Sequence, residues 1–271
     1  MTFVRKIAHF CSLLLRLRYS YSMLTASRRD FIESEIRNMG AVKVSELAEH
    51  FGVSPSTIRR DLNELSKQGR LHRVRGGGTI EHDPTPFHQV QHSLPESKDR
   101  IGKTVAGLIN DGEVVILDIG TTVARVAQQL RRRRLTVVTA SIAVVDVLRD
   151  SPETELIVLG GVFRNSYLSL IGGITESSLQ QISADVAVLG ASGVSNQGHM
   201  LDSTGVEVPV KRAIMKASDR NIFTLAEDKF PGTGVLQVCD PGSIDTVVTT
   251  TKGSAPGLGQ LKKHSGEVIF A

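Results

Sequence analysis

One short stretch limits the fold of this chain more than any other: two apolar-periodic segments joined by a tight turn. Ala48 is small, as is required where two helices cross, and Gly52 follows four residues later, where the chain must turn. Ile58 comes six residues after the glycine and can seal the second segment against the first. Ser54 and Pro55 supply a capping hydroxyl and then a proline at the first helical position. The pattern predicts a helix-turn-helix.

The flanking residues extend this motif into a small predicted domain over residues 27–80. Ser27 is placed to cap a first helix that ends at Gly40, and Ser45 is placed to cap the second helix. Apolar residues then recur at helical spacing until Gly69 ends the third helix. Residues after that glycine alternate around a run of three glycines, which predicts a two-stranded wing.

The charge of the chain is concentrated in this first part. Residues 1–80 carry 14 basic and 7 acidic side chains, whereas the remainder carries 18 basic and 21 acidic ones. A basic N-terminal region followed by a mildly acidic remainder indicates a double-stranded DNA partner, with the second helix of the motif in the major groove. A three-helix interaction module with a solvated basic face is the alternative. The predicted DNA contacts are Ser54, Ser56, Thr57, Arg59 and Arg60 on the helix and His72, Arg73 and Arg75 on the wing.

The first 26 residues form a basic extension with four basic side chains and no acidic one. Three interpretations stay open: a misassigned start with Met23 as the biological first residue, a flexible basic arm, or a targeting segment. No apolar run reaches the length of a membrane helix. Cys11 and Cys239 lie far apart, which favours two unpaired thiols in a reducing cytoplasm over a disulfide or a metal site.

Strands and helices alternate beyond residue 97. Residues 81–97 hold three prolines and no periodicity and are predicted as a linker, and residues 253–271 as a tail. Residues 98–252 predict an α/β domain with a mostly parallel sheet and helices on both faces. The predicted strands are residues 114–119, 135–140, 155–161, 185–192, 221–226 and 245–250, and the predicted helices are 98–110, 123–130, 142–148, 175–182 and 208–217.

Glycines and hydroxyl side chains follow several of these strands. Gly120, Thr121 and Thr122 open a helix, where free backbone N–H groups and hydroxyls suit a phosphate, although a lone Gly-Thr-Thr is usually an ordinary turn. Ligands of open α/β sheets bind beyond the carboxyl ends of the strands. The predicted effector-binding residues are Asp118, Gly120, Thr121, Thr122, Ser141, Ser192, Glu207, Lys211 and Lys229, with Asp202 as a further charged candidate.

The first domain resembles the N-terminal domain of the DeoR family of sugar-metabolism repressors. The resemblance rests on VSELAEHFGVSPSTIRRDLNELSKQGRLHRVRGGG (44–78), and TIRRDL (57–62) is its most specific part. Relatives usually have histidine in the wing where this chain has Arg75, a change that retains a phosphate-seeking group. The resemblance implies binding of operator DNA.

Residues 98–250 resemble the sensor domain of the same family, which implies a fold similar to ribose-5-phosphate isomerase and the coenzyme-A transferases. The match rests on LDIGTT (117–122), TVVT (136–139) and LGG (159–161), with Glu207 and Lys211 as the family's acid–lysine element and Lys229 as its late lysine. Two departures bear on the ligand: Ala140 replaces a usual asparagine, and Glu227 and Asp228 replace a usual single aspartate.

These observations predict a dimeric or tetrameric repressor. Its sensor domain is expected to bind a phosphorylated sugar, and no cofactor or metal is expected. Two alternatives stay open. One is a sugar-phosphate isomerase-like enzyme with a DNA-binding head, since Glu207 and Lys211 superficially match a catalytic acid and lysine. The other is a regulator whose sensor is silent, because function must be argued from a site and not from a fold.

Overall fold

The computed structural model describes Thr25 and residues 27–35, 41–68, 71–74, 77–79, 86–234 and 236–271. The chain divides into two compact units, residues 1–81 and 82–271, and each is described by itself. Several predictions concern residues outside the described ones: the N-terminal extension with Met23, the helix ends at Gly40 and Gly69, Arg75 of the wing, and the first part of the linker at 81–85.

The first unit contains the predicted three helices and a wing with one more strand than expected. Its elements are helix α1 (described over residues 27–35), strand β1 (Ala41–Lys43), helices α2 (Val44–Phe51) and α3 (Pro55–Lys67), and strands β2 (His72–Val74) and β3 (Gly77–Thr79). Strand β3 lies between β1 and β2 and pairs antiparallel with both. Strand β1 was not predicted, because three residues carry too little pattern to recognise.

The turn between α2 and α3 confirms the motif. Gly52 adopts a left-handed conformation (φ 61°), and its N–H donates to the main chain of the last turn of α2. Ser54 caps α3, with its Oγ accepting from the N–H of Thr57 at 3.2 Å. The other two predicted caps are wrong. Ser27 lies inside α1, since Thr25 is already helical, and Ser45 lies inside α2, because β1 runs directly into that helix from an extended Lys43.

The core of the first unit explains the spacing of its apolar residues. Ile58, Leu62 and Leu65 line one face of α3 and are fully buried, and Ala48 is buried where α2 meets them. The buried apolar residues of this core are Ile32, Val42, Val44, Leu47, Ala48, Ile58, Leu62, Leu65 and Leu71. The opposite face of α3 is consequently left to solvent.

The second unit is built on a seven-stranded sheet. Its helices are α4 (Phe87–Val90), α5 (Pro95–Ala106), α6 (Thr121–Leu130), α7 (Ile142–Leu148), α8 (Gly173–Leu179), α9 (Val208–Lys216) and α10 (Leu258–His264). The sheet contains β4 (Val114–Leu117), β5 (Leu135–Thr139), β6 (Thr154–Val158), β9 (Ala184–Gly190), β12 (Ser218–Leu225), β14 (Thr246–Thr249) and β15 (Glu267–Phe270), in the order β15-β14-β12-β9-β4-β5-β6. All six pairings are parallel, as predicted.

Apolar side chains cover both faces of this sheet. Helices α5, α6 and α7 contribute to one buried cluster, and α8, α9 and α10 contribute to the other. The second unit also contains two smaller antiparallel sheets. One is the hairpin of β7 (Val162–Arg164) and β8 (Ser169–Ile171), and the other is a three-stranded sheet of β10 (Gly193–Val194), β11 (Met200–Asp202) and β13 (Leu236–Cys239). The parallel sheet brings every strand's carboxyl end to one edge.

Two predicted boundaries differ from the structure. Much of the predicted linker is ordered, because Phe87 of α4 is buried against Ala124 and Ala143, and Pro95 starts α5. The predicted tail at 253–271 instead contributes α10 and β15, and β15 pairs with β14 along its whole length. Leu258 and Leu261 anchor α10 in the core, which explains why these residues are not a loose end.

Candidate functional site

The exposed face of α3 carries the predicted DNA-reading residues. Arg59 and Arg60 are exposed, as are Ser54 and Ser56 at the start of the helix. The opposite face buries Ile58, so the helix is held by its apolar side and presents its basic side. Arginine in this position can donate two hydrogen bonds to the O6 and N7 atoms of guanine. The arrangement suits a helix that enters the major groove.

Three hydroxyl groups meet at the N-terminus of α3. The Oγ of Ser54 lies 2.7 Å from that of Ser56 and 3.0 Å from Oγ1 of Thr57. Helix N-termini carry free N–H groups and the positive end of the helix dipole, so anions bind there. Thr57 is half-buried and is partly engaged in capping, whereas Ser56 is open to solvent. These hydroxyls suit a DNA phosphate.

His72 and Arg73 lie on β2, opposite Thr79 and Gly78 of β3. The backbone therefore places both residues on the wing, as the sequence predicts. Their contact with DNA stays a prediction.

The predicted sensor residues fall at the carboxyl edge of the large sheet. Asp118 directly follows β4, Ser141 follows β5, Ser192 follows β9, and Lys229 belongs to a short 3-10 helix after β12. Glu207 immediately precedes α9, and Lys211 lies in its first turn. Because neighbouring parallel strands end side by side, residues that are far apart in the chain meet here.

Four of the charged candidates form one buried cluster with a residue that the sequence reasoning missed. The buried charge cluster consists of Asp118, Arg164, Asp202, Glu207 and Lys211. The Nζ of Lys211 donates to Oδ2 of Asp118 and lies 3.6 Å from Oδ2 of Asp202. Nη1 of Arg164 lies 2.5 Å from Oε1 of Glu207. Asp118, Asp202, Glu207 and Lys211 are each at most 3% exposed.

The charges of this cluster do not balance when all its groups are ionised, since three carboxylates face two cations. Burial and then the neighbouring Asp202 raise the pKa of Glu207 to about 8, against the opposing effect of Arg164. Burial also raises the pKa of Asp118, with Lys211 opposing the shift. Burial alone would lower the pKa of Lys211, yet the three carboxylates raise it above its usual range. The cluster therefore tends to retain a proton near neutral pH.

Asp118 has capacity for one more polar partner. Its Oδ2 accepts from Lys211 and from the N–H of Gly190, the latter at 3.2 Å. Within the described part of the chain, its Oδ1 is buried and meets no hydrogen-bond donor. A buried acceptor without a partner is costly, and such groups usually serve a ligand, an ion or a water molecule.

Two further lysines, Lys98 on α5 and Lys229 in the 3-10 helix after β12, complete the set of buried or half-buried cations near this edge. Lys98, in the first turn of α5, is 1% exposed, and its Nζ donates to the carbonyl of Val90 at 2.6 Å. Burial and the nearby Lys229 lower the pKa of Lys98 to about 8. Lys98 and Lys229, here called the lysine pair, are thus close enough to repel each other. Lys229 also pairs with Asp228, and contact of either lysine with an anion stays a prediction.

Sequence reasoning missed Lys98 and Arg164 for the same reason. Each lies on an element whose neighbours are set by the fold, and neither stands in a recognisable spacing. Glu227, one of the two departures from the family pattern, accepts from Ser97 at 2.9 Å and from Thr250, so it links α5 to the segment after β14. Asp228 instead pairs with Lys229 at 3.0 Å.

Gly120, Thr121 and Thr122 lie at the start of α6, as predicted, and their contact with an anion stays a prediction. Gly120 precedes α6 with φ 130°, a conformation that favours glycine, and no side chain described in the structure caps this helix. Thr121 and Thr122 are each 7% exposed. Ser141 caps α7 by accepting from the N–H of Val144. Ser192 donates to Asp202 at 3.3 Å and so supports the buried charge cluster.

Two other kinds of site are absent from the described residues. There, no three His, Cys, Asp or Glu side chains stand in an arrangement that could hold a metal ion. None of the helices described has both the length and the apolar character needed to cross a membrane.

Two family models match this chain, one for each unit. Residues 28–83 match the DeoR-like helix-turn-helix domain, and residues 94–251 match the DeoR C terminal sensor domain. The second match alone covers more than half of the 271 residues. Both matches agree with the resemblance noted from TIRRDL and LDIGTT.

Curated relatives are transcription regulators. The chain is 34% identical over 245 residues to the glycerol-3-phosphate regulon repressor of Escherichia coli strain K12, covering 89% of this chain and 97% of that protein. It is 31% identical to the L-fucose operon activator of Haemophilus influenzae, covering 81% of this chain and 90% of that protein. These relatives support a regulator and not an enzyme.

Among solved structures, a ribose 5-phosphate isomerase from Methanocaldococcus jannaschii is similar at 16% identity and a TM-score of 0.38, with 54% of this chain and 56% of that chain covered. So distant a likeness carries no argument about activity. The exposed basic face of α3, the two matching family models and the near full-length relatives lead to one conclusion. The chain belongs to the DeoR family of helix-turn-helix transcriptional regulators.

Proposed function

We propose that this protein represses a carbohydrate-metabolism operon in the cytoplasm and that a phosphorylated sugar controls its hold on DNA. Two or more copies would place their α3 helices and wings on repeated half-sites of operator DNA. The sugar phosphate would bind at the carboxyl edge of the sheet and shift the population of the DNA-competent state. That shift is limited by the difference between the ligand's affinities for the two states.

One observation carries the sensor half of the proposal: the buried carboxyl group of Asp118 lies between a set of buried charges and an uncapped helix. In the described chain its Oδ1 has no donor, and a sugar hydroxyl is the type of group that would supply one. The lysine pair and the N-terminus of α6 suit a phosphate, since both offer positive charge and N–H donors. A ligand with hydroxyls at one end and a phosphate at the other matches both features.

The names of relatives support the same class of ligand. The E. coli relative is named for a regulon of glycerol-3-phosphate, which is a phosphorylated polyol. The H. influenzae relative is named as an activator, so the direction of regulation in this chain has to be measured. A reporter gene behind the selected operator, with and without the protein, distinguishes repression from activation.

The DNA half is tested by selecting binding sites from a random duplex library with the purified protein. We expect enrichment of a repeated half-site, and we expect Arg59→Ala to weaken binding to it by about 5- to 150-fold. Arg149→Ala is the matched control, because Arg149 is also exposed but lies at the end of α7 in the second unit. Equal losses in both variants would refute a specific role for Arg59.

The sensor half is tested by thermal melting with sugar phosphates and their unphosphorylated counterparts. A ligand at 100 times its dissociation constant adds about 2.7 kcal/mol of stability to the native state, which raises the melting temperature visibly. We expect a phosphorylated hit whose effect is lost in Lys229→Ala and kept in Lys216→Ala, an exposed lysine at the far end of α9. A flat response to the whole panel would favour a silent sensor.

A further inference from the structure

The chain that comes from the DNA-binding unit enters the second unit just before α4, and contacts hold this short helix at both ends. At its start, the N–H of Phe87 donates to the carbonyl of Ser166 at 2.9 Å. At its end, the carbonyl of Val90 accepts from Nζ of Lys98 at 2.6 Å. A change in either partner therefore acts on the first helix that the chain forms in this unit.

The side chain of Phe87 is 5% exposed and belongs to a small buried cluster built from several elements. The cluster joins Phe87 with Ala124 on α6 and Ala143 on α7, and Leu168 packs against it. The ring of Phe87 also meets the ring of Tyr167 edge-on, with the centroids 6.4 Å apart. Both α6 and α7 begin at the carboxyl edge of the sheet, so Phe87 packs against the helices that border the candidate site.

The hairpin of β7 and β8 connects Phe87 with the buried charge cluster. Arg164 ends β7 and lies opposite Ser169, which begins β8. Both side chains reach Oε1 of Glu207, Nη1 of Arg164 at 2.5 Å and Oγ of Ser169 at 3.3 Å. The turn between these two residues, 165–168, contains the carbonyl, the ring and the leucine that contact Phe87. One hairpin thus holds Glu207 with its strand ends and Phe87 with its turn.

This turn lies in the electrostatic field of the cluster and carries backbone strain. Burial and then the carboxylates of Glu207 and Asp202 raise the pKa of the Tyr167 phenol above its usual range. Leu168 has φ 53°, a left-handed conformation that is unfavourable for leucine, and its carbonyl accepts from the N–H of Ile142 at 2.8 Å. A strained turn keeps its conformation only while its surroundings hold it, so the loss of one contact allows it to change.

We propose that Phe87 and Tyr167 are the positioning residues through which occupation of the sensor changes the hold on DNA. A ligand whose hydroxyls bind Glu207 replaces that residue's contacts with Arg164 and Ser169. The turn between the two strands then shifts and releases Phe87, which changes the start of α4, where the chain arrives from the DNA-binding unit. The inference rests on the proposed control by a sugar phosphate and adds the route by which that control reaches the DNA-binding unit.

The first test needs neither ligand nor DNA. Arg164→Gln removes the guanidinium that holds Glu207, and we expect the backbone amides of α4 in the full-length protein to exchange hydrogen at least about threefold faster. Arg133→Gln is the matched control, because Arg133 also pairs with a carboxylate, that of Asp111, but lies before β5 at the amino edge of the sheet. Unchanged exchange in α4 of Arg164→Gln would overturn the proposal.

The second test measures affinity for the operator duplex that the purified protein selects. We expect Arg164→Gln to change this affinity by about fivefold or more, and to have no such effect when Phe87→Leu is already present, because the route is then broken. Phe223→Leu is the control, since Phe223 is also a buried phenylalanine but lies on β12, outside the cluster of Phe87. In that background Arg164→Gln keeps its effect.

Independent effects of Arg164→Gln and Phe87→Leu on operator affinity would show that Phe87 only anchors α4, and the proposal would be wrong. If Phe87→Leu does not fold, Tyr167→Leu replaces it, and a persistent effect of Arg164→Gln in that background is equally decisive. Failure of the unmodified protein to select any duplex counts against the proposed function instead. Hydrogen exchange in α4 then decides on the route without DNA.

Discussion

The Nε of Arg28 lies 2.6 Å from Oδ2 of Asp61, so a residue at the start of the first helix holds the middle of the DNA-reading helix. The Nε of the adjacent Arg29 lies 2.9 Å from Oδ1 of the same carboxylate. Asp61 is 2% exposed, although its neighbours Arg60 and Asn63 are exposed. The recognition helix is thus fixed by a buried, doubly paired carboxylate in addition to its apolar face.

We expect Asp61→Asn to lower the free energy of unfolding by about 2 kcal/mol, because hydrogen bonds to charged groups are lost from a buried site. The amide oxygen of the new asparagine can still accept from one arginine, but its NH₂ group faces the other arginine, and two donors cannot form a hydrogen bond with each other. We also expect weaker discrimination between operator and random DNA, since α3 loses its fixed position and two arginines lose their partner. Denaturant unfolding and competition binding measure the two effects.

Glu49→Gln is the control for this variant, because Glu49 is an exposed carboxylate on α2. It removes the same charge from the same unit without touching a buried pair. If both variants lose stability and discrimination equally, then net charge and not the buried contact explains the effect.

Lys98 leads to a prediction on the pH dependence of ligand binding. Burial and Lys229 lower the pKa of Lys98 to about 8, so its ammonium is present below that pH and disappears above it. A phosphate monoester becomes a dianion above about pH 6. Affinity for a sugar phosphate should therefore be greatest between about pH 6 and 8 and then fall by up to about tenfold per pH unit. Titration calorimetry across this range measures the profile.

The variant Lys98→Gln separates this group from other titrations. At pH 7 we expect about 10- to 100-fold weaker binding of the phosphorylated ligand, the loss typical of one charge-assisted hydrogen bond. The fall in affinity above pH 8 should also vanish. A variant that keeps the wild-type profile would show that Lys98 does not contact the phosphate.

Glu207 leads to a prediction on stability. Its pKa is raised in the folded protein to about 8, so the folded state binds a proton that the unfolded state has released. Stability from this group is fully present below its unfolded pKa and is lost as pH rises toward 8. We expect a decline of at most about 1.4 kcal/mol per pH unit. Denaturant unfolding at pH 5.5, 6.5 and 7.5 measures it.

The amide of Glu207→Gln imitates the protonated acid and does not titrate. The difference in stability between this variant and the unmodified protein should therefore change with pH in the direction that favours the variant at pH 7.5. Parallel curves for the two proteins would exclude Glu207 as the group that retains the proton.

Gly120 allows a test of backbone conformation without a change in packing. A Cβ at this position has nothing within 4 Å, yet φ is 130°, so Gly120→Ala is strained by conformation alone. We expect a loss of about 1–3 kcal/mol in stability and weaker binding of the sugar phosphate as the start of α6 relaxes. Melting temperature and ligand affinity are the measurements.

Gly173→Ala is the matched control. A Cβ at Gly173 also meets nothing within 4 Å, but its φ is not in the left-handed region. It lies at the first position of α8, where alanine is favoured. A loss of stability at Gly173 as large as that at Gly120 would contradict the conformational explanation.

Much of this fold was predictable because its strong patterns are local. Ser54 followed by proline marks the start of α3, and the β-branched run at 114–117 marks a central strand. The weak elements were missed for an equally physical reason. Strand β1 is three residues long, too short to show an alternating pattern. Strand β15 has strand-forming residues, but its place in the sheet is set by its pairing with β14, which the sequence does not display.

The candidate site was predictable only in part. Asp118, Glu207 and Lys211 were found because they follow or precede recognisable elements at the carboxyl edge of the sheet. Lys98 and Arg164 were not, since each comes to the site through the packing of a neighbouring helix or hairpin. Ser141 caps α7, a role that a hydroxyl at a strand end also suits, and its contact with a ligand stays a prediction.

The hydrogen bond from Lys98 to the carbonyl of Val90 has a consequence for how the two activities of the protein influence each other. An anion bound to the ammonium of Lys98 would share that group with the carbonyl of Val90, the last residue of α4, because an ammonium has three N–H donors. Binding free energies are reciprocal, so a ligand that alters operator affinity by some factor has its own affinity altered by the operator by the same factor. Operator DNA is in that sense an effector of the sensor, and a cell with many operator copies would need a different concentration of the sugar phosphate to respond.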